Sequence, residues 1–123
     1  PQGGAMSQLR EYLNELVNVE GINSAVVVGR DGFVIDGITA GMSLDADAVG
    51  AVISTGIGSS EVMGRELEVG AMTQGMVEFS DGLIVMALLG EDAILAVVAD
   101  LNANLGNVRF QIKKRIKNIE KSL

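Results

Sequence analysis

From Ser7 to Val19 the apolar residues Leu9, Tyr12, Leu13, Leu16 and Val17 recur at i, i+3, i+4, i+7 and i+8, the stripe of an amphipathic helix, and Gly21 follows as a stop. The period then changes. Ile22 to Gly29 is rich in β-branched residues, Arg30-Asp31-Gly32 has turn chemistry, and Phe33-Val34-Ile35 resumes the apolar pattern, which predicts a hairpin. A second unit of this kind runs from Val69 to Phe79 through Ser80-Asp81-Gly82 into Leu83 to Leu89, and Gly90-Glu91-Asp92 turns the chain once more into Ala93 to Ala99. Between the two units, Leu44 to Leu67 predicts a long helix with Ser43 as N-cap and Asp45 and Asp47 at its positive end. A last helix starts near Asn104, another N-cap residue, and places Leu105, Val108, Ile112, Ile116, Ile119 and Leu123 at three- and four-residue spacing.

The element order α-β-β-α-β-β-β-α predicts an α+β fold, a five-stranded antiparallel sheet sandwiched between the central helix on one face and the two terminal helices on the other. With both faces covered, Val26-Val27-Val28 and Leu83 to Leu89 have no reason to alternate, and they do not. Val69 to Phe79 mixes Thr73, Gln74 and Glu78 with Met72, Met76 and Val77, and reads as an edge strand. Pro1 to Ala5 show no apolar period and precede Met6, so residues 1–5 read as an expression scar and residues 6–123 as a single domain.

Wound at 100° per residue, the central helix places Leu44, Val49, Val52, Ile53, Ile57, Met63 and Leu67 on one broad face, expected to be the core side. The opposite face is Asp47, Gly50, Ala51, Ser54, Gly58, Glu61 and Arg65, nearly free of side chains at its middle. Each glycine in an exposed helix costs about 1 kcal/mol relative to alanine, so a close approach of another helix is the expected reason for that face. The edge segment Gly70 to Val77 carries neither Lys nor Pro as protection. Pairing it with a symmetry mate would satisfy its free backbone groups and set two such helices side by side. Met72, Gln74 and Met76 complete the candidate interface, with ordinary core filling as the competing role for the two methionines.

Composition removes whole classes of chemistry. Without cysteine or histidine there is no disulfide, no thiolate metal site and no imidazole base, so neither an enzyme nor a cofactor is expected. Gly56-Ile57-Gly58-Ser59-Ser60-Glu61 starts like a dinucleotide fingerprint but lacks the last glycine and lies inside a helix. Asp45-x-Asp47 lacks the glycine and glutamate of a calcium loop. The longest apolar run, Leu83 to Leu89, is far short of a membrane span, so a cytoplasmic protein without a membrane partner is expected. Up to residue 108 three arginines face fifteen acids, whereas beyond it six bases face Glu120 alone. The basic final helix is a solvated face or steers an oppositely charged partner. Its aromatic-poor surroundings argue against nucleic acid.

Two strings carry a resemblance: Val27-Val28-Gly29-Arg30-Asp31-Gly32-Phe33-Val34-Ile35 in the first hairpin and Ala99-Asp100-Leu101-Asn102-Ala103-Asn104-Leu105-Gly106 before the last helix. With the element order they resemble the Roadblock/LC7 family over residues 6–123, a family that includes MglB-like regulators of small GTPases and the dynein light chain roadblock. The resemblance implies a dimer in which the third strands pair into one sheet and the central helices pack together. It also implies a non-catalytic scaffold that regulates or anchors a Ras-like small GTPase, or alternatively a structural adaptor of a motor or signalling complex. It supplies no catalytic residue, and neither Arg30 nor Arg65 is assigned as an arginine finger on likeness.

Overall fold

The Asp31-Gly32 turn closes as its chemistry predicts. The Asp31 carboxylate accepts from Phe33 N at 3.1 Å, Gly29 N donates to Phe33 O at 2.8 Å, and Gly32 takes φ +91°, a conformation an L side chain rarely adopts. In the computed structural model, which describes residues 4–39 and 45–123, this turn joins β1 (Ile22–Gly29) to β2 (Val34–Thr39). Around it stand α1 (Gly4–Val17), α2 (Ala46–Glu66), β3 (Gln74–Phe79), β4 (Gly82–Leu89), β5 (Ala93–Ala99) and α3 (Leu105–Lys121). The predicted α-β-β-α-β-β-β-α order is the observed one. Helix α1 begins at Gly4, ahead of the expected Ser7 and inside the segment set aside as residues 1–5.

Ser43 and Leu44 lie outside the described residues. The cap of α2 is Asp45, whose carboxylate accepts from Asp47 N at 3.1 Å and Ala48 N at 3.3 Å, two of the donors a helix start leaves without intrahelical partners. Asn104 caps α3 as expected, accepting from Asn107 N at 2.9 Å.

The strands form one antiparallel sheet in the order β2-β1-β5-β4-β3, so β3 is an edge as predicted and β2 is the other. Helices α1 and α3 close one face over Ala25, Val27, Val85, Leu95 and Val97, packing Leu9, Leu13, Leu16, Val108, Ile112 and Ile119 against them. Arg115 bonds Glu15 at 2.8 Å and Arg10 bonds Asp36, tying α3 to α1 and α1 to β2.

The other face is only partly covered, because α2 lies mainly over β2, β1 and β5 and comes near β4 at Gly56, where a Cβ would stand 3.9 Å from the Met86 sulfur. Along β4 the residues toward α1 and α3 (Leu83, Val85, Ala87, Leu89) are buried, while Ile84, Met86 and Leu88 on the α2 side are half-buried. The apolar run Leu83 to Leu89 therefore does not mark a strand closed on both sides. The expected core side of α2 is corrected in the same way. Of its six described residues only Ile57 is fully buried. Val49 and Ile53 are half-buried, and Val52, Met63 and Leu67 are 70%, 58% and 72% exposed. The reason is that α2 is rolled toward the β1–β2 turn: Gly50 is buried, and a Cβ there would stand 2.0 Å from the Gly32 carbonyl oxygen.

Candidate functional site

The roll of α2 divides the ten candidate residues into groups that face in different directions. Gly50, Ser54 and Glu61 are used inside the chain. Ser54 Oγ donates to the Arg30 carbonyl at 3.2 Å, and the Arg30 guanidinium grips Glu61 with both nitrogens, at 2.7 and 2.8 Å. This fork geometry fixes the turn against the middle of the helix. Asp47, Ala51, Gly58 and Arg65 remain exposed, and nothing among the described residues lies within 4 Å of where a Cβ on Gly58 would be. Asp47 and Ala51 line an open groove of about 380 Å³ with Phe33 of the turn.

The β3 candidates divide as well. Register places Gln74 opposite Ala87 and Met76 opposite Val85, both in the core beneath α1 and α3, and Met76 packs on that core. Core filling is thus the role the structure gives Met76. Val77, by contrast, pairs with Ile84 and, like Phe79, stands on the α2 side. Met72 lines a groove of about 520 Å³ between the end of α2 and β3, together with Met63, Leu67, Val69 and Met86. Val77 and Phe79 are exposed, as are Val52, Met63 and Leu67 across the groove, so the uncovered part of the sheet is bordered by apolar side chains on both sides. A second cleft of about 380 Å³, lined wholly by apolar residues including Val26, Val52, Ile53, Ile84 and Val98, runs under the first half of α2.

The exposed Val77 and Phe79 are not among the residues expected at the interface from sequence, and Val52, Met63 and Leu67 were expected in the core. Their hydrophobicity was visible, but whether α2 or nothing covers them depends on where the helix sits. The Arg30–Glu61 pair had no local signal, being 31 residues apart in the chain.

The pair makes a pH prediction. Hydrogen bonds from Arg30 hold the Glu61 carboxyl below its ordinary value of 4.5 against an opposing effect of desolvation, with the charges of Arg30 and Arg65 adding to the lowering, and Glu61 raises Arg30 in turn. A lowered carboxylate pKa means the stabilising contribution is complete above 4.5 and is lost only as pH falls through the lowered value. In an NMR titration the Glu61 carboxyl should have its midpoint below 4.5, moving back toward that value in Arg30→Gln. An unchanged midpoint in the variant would show that the pair does not form in solution.

The model of the Roadblock/LC7 domain family matches residues 9–99. A protein of uncharacterised function from Methanocaldococcus jannaschii is 39% identical over 108 residues, covering 88% of this chain and 93% of its own. Among solved structures, MglB of Myxococcus xanthus superposes with a TM-score of 0.87 at 16% identity, covering 94% of both chains. The gliding protein MglB of Thermus thermophilus also gives 0.87, at 19% identity over 99% of this chain and 93% of its own. At such identities the structural matches speak for the fold.

Proposed function

The chain belongs to the Roadblock/LC7 domain family, and from that premise we propose that it is a non-catalytic homodimeric platform that regulates or anchors a Ras-like small GTPase. The observation that supports the dimer is the free β3 edge bordered on its α2 side by exposed Val77 and Phe79, with Met63 and Leu67 across the groove. Pairing two β3 strands about a two-fold axis would give one ten-stranded sheet with both α2 helices on the same face. The side of α2 turned toward β3 carries Met63 and Leu67, with Gly56 close to the Met86 sulfur, at 3.9 Å from a Cβ placed there. That side would meet the second α2. The row Asp47, Ala51, Gly58 and Arg65 would then face away from the sheet on both copies, and it is the surface offered to the GTPase.

Size-exclusion chromatography with light scattering tests the dimer. The parent should run as a dimer and Val77→Glu as a folded monomer, since Val77 is 42% exposed and pairs only with Ile84 at its register position. A Val77→Glu dimer of parent affinity would remove this interface. The GTPase rests on the family resemblance, so it needs its own test: affinity purification from the source cells should recover a small GTPase that binds the purified dimer according to its nucleotide. Recovery of scaffold proteins alone would favour the structural adaptor.

A further inference from the structure

Helix α3 spends its apolar stripe on the core through Val108, Ile112 and Ile119. What it shows to solvent is a row of cations. Arg109, Lys113, Lys117 and Lys121 follow one another every four residues, with Lys114 beside them, all exposed. Twelve residues of helix make the row about 18 Å long. None of the five makes an ion pair among the described residues, whereas Arg10, Arg30 and Arg115 all do. Phe110 lies within the row and is 59% exposed. The acids on this side are few. Glu15 is held by Arg115, Glu120 accepts from Gly90 N at 3.2 Å, and Glu11 and Glu78 are exposed.

We propose that the outer face of α3 is a peripheral docking surface for an anionic lipid bilayer. The charge is complementary, and the bases are set along a helix lying against a sheet, so they can meet a flat surface together. An exposed phenylalanine among cations suits the boundary between headgroups and acyl chains. A nucleic acid would ask for a groove or a stacking platform, and Phe110 is a lone ring on a convex helix. The acids of the chain are spread over α1, α2, the strands and the turns, and the two on α1, Glu11 and Glu15, are too few to match the five cations of α3 on a second copy. The expectation of no membrane partner came from the lack of a spanning segment, and indeed no helix among the described residues is long and apolar enough to cross a membrane. Adsorption through basic side chains needs no such segment.

Each protomer carries the whole row, and the dimer proposed above would double it. Helix α3 lies along β4, next to the β3 edge, so pairing through β3 would place the two rows about 14 Å apart at ordinary strand spacing, on the face opposite α2. The membrane would then bind one side of the platform and leave the α2 side open to its partner.

The test is co-sedimentation of the full chain with phosphatidylcholine vesicles and with vesicles of phosphatidylcholine and phosphatidylglycerol, in low and in near-physiological salt. Binding should be confined to the anionic vesicles and weaken as salt rises. The surface double variant K113E/K117E should lose at least about tenfold in partitioning. Equal binding to neutral vesicles, or parent-like binding of the double variant, overturns the proposal. So does tighter binding to a single-stranded oligonucleotide than to anionic vesicles, or a salt-sensitive oligomer in sedimentation velocity with no vesicle binding. The monomeric Val77→Glu protein keeps the row, so its lipid selectivity should survive with weaker binding. If the parent proves monomeric, the dimer fails while the K113E/K117E comparison still decides the lipid surface.

Discussion

Gly50→Ala is expected to destabilise the protein by about 3 kcal/mol, the cost of forcing a methyl into a closed contact, and to lower Tm by about 10 °C. Helix propensity alone predicts the opposite sign, since alanine is favoured over glycine by about 1 kcal/mol inside a helix. The contact decides. A Cβ on Gly50 would lie 2.0 Å from the Gly32 carbonyl oxygen, a backbone atom with no rotamer to move away. Gly32 sits at φ +91° in a turn held by Gly29 and Phe33, so relief must come from α2 lifting away. That motion would stretch the Ser54 bond to Arg30 O and the Arg30–Glu61 fork. Thermal unfolding of the purified variant checks this. A Tm equal to or above the parent's would mean that α2 does not approach the turn as closely as the structure shows.

Gly58→Arg should have the reverse profile. The position is exposed and nothing among the described residues lies within 4 Å of a Cβ placed there, so the substitution meets no clash with them. Replacing glycine by arginine in a helix should add about 0.5–1 kcal/mol, and Tm should rise by a few degrees. If the outward row of α2 receives a GTPase, the long side chain would stand in that interface and lower affinity by about ten- to a hundredfold, the cost of overpacking a close contact. The dimer should persist, because Gly58 is on the row turned away from the sheet and not on the Met63 side. Light scattering, a melting curve and a titration with the GTPase recovered by affinity purification measure the three effects. Unchanged GTPase affinity would exclude this row as the docking surface, and loss of the dimer would move the α2 contact to Gly58.

The two glycines lie eight residues apart on what the helical wheel shows as one face, yet the structure gives them different reasons. Their shared small size was legible, and so was the need for something close by. For Gly50 the close neighbour is this chain's own turn. For Gly58 the described residues supply no neighbour within 4 Å. Helix periodicity reports which residues share a face and is silent about what that face meets. The same holds for β3. Its edge position was readable from mixed polar and apolar residues, but the residues facing the uncovered sheet, Val77 and Phe79, could be separated from Met76 only by the register with β4. One step of register exchanges the two faces of a strand.

By itself the sequence determined the elements and their order, because the signals are local: the Asp31-Gly32 turn, the Asn104 cap, and the three- and four-residue spacing of α1 and α3. It also determined the charge division that leaves α3 basic on an acidic chain. The seating of α2 was decided only by the tertiary structure. That helix has small and apolar residues around much of its circumference, so its periodicity alone allows several rolls. The choice among them came from the fit of Gly50 against Gly32 and the fork between Arg30 and Glu61, contacts between residues 18 and 31 positions apart in the chain. With the helix seated there, Val52, Met63 and Leu67 are left uncovered, and the apolar strip proposed as the dimer surface is a consequence of that single choice.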